Sequence, residues 1–286
     1  MSSRLSRRSL LKSSAFAGAA AAFPGAAATI ESKSISSVVE TNCGKVRGVV
    51  VNGVHVYRGI PYGASTDGAN RCMPPRKPQS WTGVRDAFQN GHSSPQNSPA
   101  PGAIGWGLRG NALQGEDCLV LNVFSNGVND GRKRPVMVWI HGGGYTYGSG
   151  SSLGYDGANL ARTGDVTVVC INHRLNLFGH LYLGAAGGDF ADSGNVGLLD
   201  IAASLEWVRD NIARFGGDPA NVTIFGQSGG GGKVSTLLAM PAAKGLFHKA
   251  IVESGSTLKQ GTKEEAEKST EIFMAKLGLK PSQARD

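Results

Sequence analysis

Hydrophobic residues along this chain fall into short apolar runs that are separated by amphipathic segments. Five runs are predicted strands: CLVLNVF (118–124), PVMVWI (135–140), DVTVVCIN (165–172), VTIF (222–225) and KAIVES (249–254). Residues 197–217 carry Leu198, Ile201 and Leu205 at steps of three and four and end in two glycines, which is typical of an amphipathic helix with a glycine stop. A second helix, rich in Glu and Lys, is predicted over 263–277.

The N-terminal part has a different pattern. Residues 36–60 form short β-rich segments, and Asn52-Gly53 between two of them is a strong hairpin signal. Residues 61–116 are irregular and rich in Pro and Gly. Buried strands that alternate with helices favour an α/β fold, with a central, mostly parallel sheet flanked by helices and an N-terminal antiparallel edge.

Composition indicates an ordinary globular protein. The chain has 286 residues, of which 40% are apolar and 17% charged, and its formal net charge is +8. The first 28 residues hold four basic side chains and no acid, so the remainder has 25 basic against 21 acidic side chains. No basic run with interleaved aromatic residues follows, so we expect no nucleic-acid partner.

The first 28 residues resemble an export signal. A basic start with adjacent Arg7 and Arg8 leads into an Ala-rich stretch that ends in the small-residue triplet 26–28. The paired arginines fit a twin-arginine signal of a bacterial exported protein, periplasmic or extracellular; the alternative is an uncleaved tail. No later stretch approaches the ~18 apolar residues of a membrane span, so we expect no stable membrane anchor and one domain over 29–286.

The four cysteines form no C-x-x-C pair, so the sequence supports neither a zinc site nor a dithiol redox site. Cys170 lies in an apolar run and is predicted to be a buried thiol. Export permits disulfides, and a bridge between Cys72 and Cys118 is one pairing that the sequence leaves open.

A serine stands in a glycine-rich turn, FGQSGGGGKV (225–234), between a predicted strand and a predicted helix. Side chains two residues to either side of Ser228 would collide in a sharp strand-to-helix turn, and both positions, Gly226 and Gly230, are glycine. Such a turn presents the serine oxygen to the N–H groups at the start of the helix, where the negative oxygen of an acyl-transfer intermediate can be stabilised.

A second glycine turn strengthens this interpretation. The predicted strand 135–140 runs into His141-Gly142-Gly143-Gly144, which matches the backbone loop that accompanies a nucleophilic serine turn. The alternative is a phosphate-binding loop that ends at Lys233. That motif requires glycine at 227 and Ser or Thr at 234, where this chain has Gln227 and Val234, so we disfavour it.

These motifs together resemble the type-B carboxylesterases and lipases, relatives of the cholinesterases with the α/β-hydrolase fold. The segments that carry the resemblance are FGGDPANVTIFGQSGG (215–230), EDCLVLNV (116–123), WIHGGGY (139–145) and GLFHKAI (245–251). The resemblance implies hydrolysis of small-molecule carboxylic esters through an acyl-serine, with Ser228 as nucleophile and the amides of Gly143, Gly144 and Gly229 as oxyanion hole. It implies no metal or organic cofactor, and the oligomeric state stays open.

Three features depart from that family's pattern. Many relatives carry Glu and Ala around the serine where this chain has Gln227 and Gly229, and the lost carboxylate should weaken a preference for cationic substrates. Many also have a cysteine near position 94 that pairs with the one in EDCL. Here residues 93 and 94 are serines, so the resemblance leaves Cys118 without that partner.

The third departure concerns the base and acid that a serine nucleophile needs. In this fold they follow the serine in the order acid, then histidine, but the only histidine after Ser228 is His248, in a stretch expected to be structural. We therefore expect an incomplete N-terminal portion of an ester hydrolase that lacks the catalytic acid and histidine. The alternative is a catalytically inactive remnant or a non-enzymatic binding relative.

Overall fold

The computed structural model describes residues 33–97 and 113–283. The predicted export signal at 1–28 lies outside these residues. Nine strands are described: β1 Lys33–Thr41, β2 Gly44–Val51, β3 Val54–Pro61, β4 Val84–Asp86, β5 Val120–Ser125, β6 Arg134–Ile140, β7 Thr167–Ile171, β8 Gly217–Gln227 and β9 Lys249–Glu253. Five α-helices accompany them: α1 Ala158–Gly164, α2 Asn176–His180, α3 Val196–Asn211, α4 Gly229–Ala239 and α5 Lys263–Lys276.

The described strands form one mixed sheet in the order β1-β2-β3-β5-β7-β6-β8-β9, and β4 adds to β2. The antiparallel pairings start at β1 and continue to β7. The predicted hairpin joins β2 and β3, where Asn52 (φ 50°) and Gly53 (φ 82°) both adopt positive φ. Two consecutive positive φ values match the twist of a two-residue hairpin, which explains the Asn-Gly sequence.

The other half of the sheet is parallel and determines where the glycine turns lie. β6 lies between β7 and β8, and Ile140 of β6 is paired with Gly226 of β8. Parallel neighbours end at the same edge of a sheet, so the loop after β6 and the turn after β8 leave the sheet side by side. The predicted α/β fold is confirmed, and its antiparallel part reaches further into the sheet than the N-terminal edge.

Helix α3 covers one face of this sheet. Ile201, Leu205 and Val208 have no exposed surface and pack in the same cluster as the inward side chains of β6 and β8. The helix continues into a 3₁₀ turn and stops at Gly216, whose φ of 76° is costly for any residue with a Cβ. The apolar period and the glycine stop seen in the sequence therefore produce the element that was predicted.

The structure records all four cysteines as free, so the pairing of Cys72 with Cys118 that the sequence left open does not occur. Cys118 belongs to the main core cluster and its thiol contacts the Ser94 side chain. Cys72 packs in a separate small cluster with Met73, Leu183 and Phe190.

Candidate active site

Ser228 occupies a strained backbone position between β8 and α4. Its φ is 56° and its ψ is −123°, a region that residues with a Cβ rarely adopt. The backbone N–H of Ser228 donates to the carbonyl of Glu253 at the end of β9 (2.8 Å), which holds the turn in place. The residue is exposed, so the strained turn presents its hydroxyl at the edge of the sheet.

The flanking glycines are required because this turn touches the end of β6. A Cβ on Gly226 would lie 2.6 Å from the carbonyl oxygen of Ile140 and 2.7 Å from the carbonyl carbon of Gly230. A Cβ on Gly230 would overlap the same Ile140 oxygen and lie 3.0 Å from the carbonyl carbon of His141. All of these are backbone atoms with little freedom to move, so the steric argument made from the sequence describes the observed turn.

The loop 141–145, called here the glycine loop, lies directly against this turn. Gly143 and Gly144 adopt φ values of 91° and 61°. A Cβ on Gly229 would come within 2.6 Å of the Gly144 nitrogen, and one on Gly142 within 3.6 Å of the Ser228 Cβ. The two turns that the sequence placed at separate strand ends therefore meet at one point.

Backbone N–H groups are concentrated at this point. Within the described residues, the amides of Gly143 and Gly144 donate to no acceptor, while the Gly143 carbonyl accepts from the amides of Thr146 and Tyr147 (3.3 Å each). The amide of Gly229 lies in the first turn of α4, where helical N–H groups have no intrahelical partner. Unpaired amides at a helix N-terminus favour a negatively charged group.

Lys233 lies behind the glycine loop and does not face solvent. Its exposed fraction is 0%, and Nζ donates to the carbonyls of Gly144 (2.7 Å) and His141 (3.2 Å). A phosphate-binding lysine must reach its ligand, so this burial is a second argument against the phosphate-loop alternative. The sequence predicted the contact between the two turns only through motif order, and it did not predict these bonds of Lys233.

His248 lies far from the serine. Its Nδ1 accepts from the amide of Val222 (3.1 Å), six residues before Ser228 along β8. Six strand residues span about 20 Å, so the ring cannot reach the hydroxyl. The expectation that His248 is structural agrees with this contact.

The buried histidines beside the glycine loop are held neutral. His141 and His173 stack with ring centroids 4.7 Å apart, and His180 packs edge-on against Tyr145. Burial, and then the nearby Lys233, lowers the pKa of His141 to about 3 and of His180 to about 4. The same causes hold the pKa of His173 well below its usual value.

No hydrogen bond joins the Ser228 hydroxyl to a histidine within the described residues. His141 Nδ1 is paired with the Gly142 carbonyl (2.9 Å), and His173 Nδ1 with the Arg174 carbonyl (3.0 Å). His55 is hydrogen-bonded to Ser36 on the N-terminal strands. The site thus consists of a serine and a set of amides.

A strained serine turn after a parallel strand, packed against a glycine loop, defines this chain as an α/β hydrolase. The chain belongs to the carboxylesterase family, whose model matches residues 35–286. It is 46% identical to a para-nitrobenzyl esterase from Bacillus subtilis over 246 aligned residues. The alignment covers 86% of this chain and 49% of the relative. It is 40% identical over 242 residues to a phenmedipham hydrolase from Pseudarthrobacter oxydans, covering 84% and 48% respectively.

Solved structures support the same assignment. A carboxylesterase from Geobacillus stearothermophilus superposes with a TM-score of 0.79 at 44% identity, over 86% of this chain and 49% of that one. The chain therefore spans about half the length of the relatives it matches. The resemblance read from the sequence motifs is confirmed, as is the fold.

Proposed function

We propose that this chain carries the nucleophile and the oxyanion hole of a carboxylic ester hydrolase. The observation that supports this is the contact between the Ser228 turn and the glycine loop, which brings an exposed hydroxyl next to unpaired amides. In the proposed reaction, Ser228 Oγ attacks the ester carbonyl and loses its proton to a base. The amides of Gly143, Gly144 and Gly229 stabilise the oxyanion, the alcohol leaves with a proton, and water then hydrolyses the acyl-serine.

The base and its orienting acid come, in this proposal, from outside the described residues. Within the described residues no hydrogen bond joins Ser228 to a histidine, and the neighbouring His141 and His173 are paired with backbone carbonyls. Without the base and acid, the amides and the bound geometry can still supply a residual rate enhancement of about 10³–10⁴ over water. This part of the proposal treats the chain as the N-terminal portion of a longer esterase.

The substrate class follows from the absence of charge in the turn. Gln227 takes the position before the serine, so no carboxylate adjoins the nucleophile in sequence. We infer a neutral small-molecule ester rather than a cationic one.

Acylation of the purified chain by p-nitrophenyl acetate tests the central claim. We expect peptide mass mapping to find one acetyl group on Ser228, formed faster than on the exposed Ser256, and none at position 228 in Ser228→Ala. A folded chain in which Ser228 reacts no faster than Ser256 would contradict the proposal. That result would support the second candidate, an inactive remnant or binding relative, which the missing histidine contact favours.

Export is a separate proposal that rests on residues 1–28. We propose that Arg7 and Arg8 direct the folded protein through the twin-arginine route and that cleavage follows Ala28. Expression in a bacterial host, followed by N-terminal sequencing of the exported fraction, should find Thr29 as the first residue. The double substitution Arg7→Lys and Arg8→Lys should abolish export. Unchanged export of that variant would contradict the route. None of the helices in the described part of the chain has the length and apolar character of a membrane span.

A further inference from the structure

Lys233 is a charged side chain that the proposed reaction does not use, yet it is buried next to the proposed oxyanion hole. It lies in the second turn of α4, five residues after Ser228, with 0% of its surface exposed. Lysine is almost never fully buried unless its amine has partners, because an unpaired amine in the interior is costly. Its partners therefore indicate its role.

Among the described residues, the partners of the Lys233 amine all belong to the glycine loop. Nζ donates to the carbonyl of Gly144 (2.7 Å) and to that of His141 (3.2 Å). It also lies 5.1 Å from the centre of the Tyr145 ring. One side chain from α4 thus contacts His141 at the start of the glycine loop and Gly144 and Tyr145 at its end.

The contact is not an ion pair. Burial lowers the pKa of Lys233 to about 7, and no carboxylate contributes to that shift. The neighbouring histidines His141, His173 and His180 are themselves held neutral. A neutral amine keeps two N–H groups, one for each carbonyl, so the two hydrogen bonds do not require the charge.

The glycine loop needs such a support. Three consecutive glycines have no side chains to fix their backbone, and two of them adopt positive φ. A peptide group is planar, so a hydrogen bond to a carbonyl also fixes the direction of the N–H on the same plane. The peptides that carry the Gly143 and Gly144 amides are held at their carbonyls by His141 Nδ1 and by the amides of Thr146 and Tyr147, respectively. Lys233 fixes the peptides on either side of these two, after His141 and after Gly144.

We propose that Lys233 is a positioning residue. It holds the glycine loop from behind at the two peptides that flank the proposed oxyanion hole, so that the amides of Gly143 and Gly144 between them stay directed at the reacting oxygen. This deepens the proposed function and rests on it for its catalytic meaning. The bonds themselves can be tested without any turnover.

Hydrogen exchange measured by mass spectrometry on the full chain tests the role. In Lys233→Met, which keeps the apolar part of the side chain but has no donor, we expect the amides of Thr146 and Tyr147, which donate to the Gly143 carbonyl, to exchange at least ~10-fold faster. Peptides from β6 and β8 should stay as protected as in the wild type. Lys233→Arg, which retains N–H donors, should exchange more slowly in the loop than Lys233→Met, and the exposed-lysine control Lys244→Met should match the wild type.

Loop exchange in Lys233→Met that equals the wild type overturns the proposal. If that variant does not fold, the wild-type chain labelled with ¹⁵N-lysine provides the test. One Nζ resonance protected from solvent exchange, lost in Lys233→Arg and kept in Lys244→Met, supports the proposal; the absence of any protected Nζ overturns it.

The catalytic meaning is tested in any preparation that turns over p-nitrophenyl acetate. Lys233→Met should lower kcat by roughly 10- to 100-fold and leave KM within about twofold, since the amides act mainly in the transition state. Acylation of Ser228 with no effect of Lys233→Met on kcat or loop exchange would reject the role of Lys233 alone. A loop that loosens in Lys233→Met while Ser228 stays unreactive would reject the esterase proposal alone.

Discussion

Gly144 and Gly229 face each other so closely that a Cβ on Gly229 would lie 2.5 Å from the Gly144 Cα and 2.6 Å from its nitrogen. The contact joins the loop after β6 to the turn after β8 without any side chain between them. The backbone of β9 completes the arrangement, because the Glu253 carbonyl binds the amide of Ser228. The site is therefore built largely from backbone groups, and its accuracy depends on glycine at the points of closest approach.

Gly230→Ala tests this dependence. The added methyl group would overlap the carbonyl oxygen of Ile140, so either β6 or the start of α4 must shift. We expect the free energy of unfolding in urea to fall by roughly 2 kcal/mol or more, and acetylation of Ser228 to be lost. The matched control is Gly164→Ala at the end of α1, where the nearest atom is 3.6 Å away and stability should be unchanged or slightly higher. Equal stability of Gly230→Ala and wild type would contradict the close contact between Gly230 and the Ile140 carbonyl.

Ser94 occupies the position from which Cys118 could be bridged. Both side chains are buried, and the Cys118 thiol is hydrogen-bonded to Ser94. We expect Ser94→Cys to form a disulfide with Cys118 and to raise the free energy of unfolding by up to ~3 kcal/mol, since the bridge closes a loop of about 25 residues.

Burial raises the pKa of the Cys118 thiol to about 12, so little thiolate is present in the folded chain. The bridge should therefore form during oxidative refolding and only slowly in the native protein. Mass mapping locates the bond, and urea midpoints of oxidised and reduced samples give the gain. Ser94→Cys with Cys118→Ser is the control, and oxidation should leave its midpoint unchanged.

The sequence predicted the strands and helices that have a clear hydrophobic pattern. It missed segments whose structure depends on contacts with residues distant in the sequence. The apolar run 222–225 predicted only the core of β8; its polar start is a strand because Gly217 pairs with Arg134 of β6. Helix α2 has only five residues and no periodic signal. Its first amide donates to the Tyr145 carbonyl (2.7 Å), so the neighbouring loop stabilises it.

The candidate site shows the same division. Steric rules for a serine turn predicted Gly226 and Gly230 from local sequence alone. The bonds of Lys233 join residues 89 and 92 positions apart, and no local rule links them. From the sequence, Lys233 suggested only the end of a phosphate-binding loop, and its burial in the fold reveals its contact with the glycine loop.

The buried pair of Arg174 and Asp200 is expected to contribute strongly to stability. Nη2 lies 2.6 Å from Oδ1 and Nε 2.8 Å from Oδ2, and neither side chain is more than 1% exposed. Asp200→Asn leaves a guanidinium buried without its counter-charge, so we expect a loss of about 3 kcal/mol or more in urea unfolding. Asp86→Asn removes the partner of Arg47 in a pair that is about 40% exposed, and it should change stability by less than about 1 kcal/mol. Similar losses for the two variants would contradict the role of burial.

Stability should depend on pH through Lys233. Burial lowers its pKa to about 7 in the folded chain, against an ordinary value of 10.5 in the unfolded chain. Between these values the unfolded chain binds one more proton than the folded chain, so the free energy of unfolding rises with pH in this window. Below pH 7 both states are protonated and this contribution is constant at its lowest level.

The measurement is the difference in the free energy of unfolding between wild type and Lys233→Met, followed by urea from pH 6 to pH 9. Other titrating groups, such as Tyr57, whose pKa burial raises to about 12, are common to both proteins and cancel in the difference. We expect the difference to be flat near pH 6 and then to move in favour of the wild type as the pH rises above 7. A difference that stays flat to pH 9 would mean that Lys233 keeps its ordinary pKa. The carbonyls of Gly144 and His141 and the Tyr145 ring would then stabilise the protonated amine as well as water does.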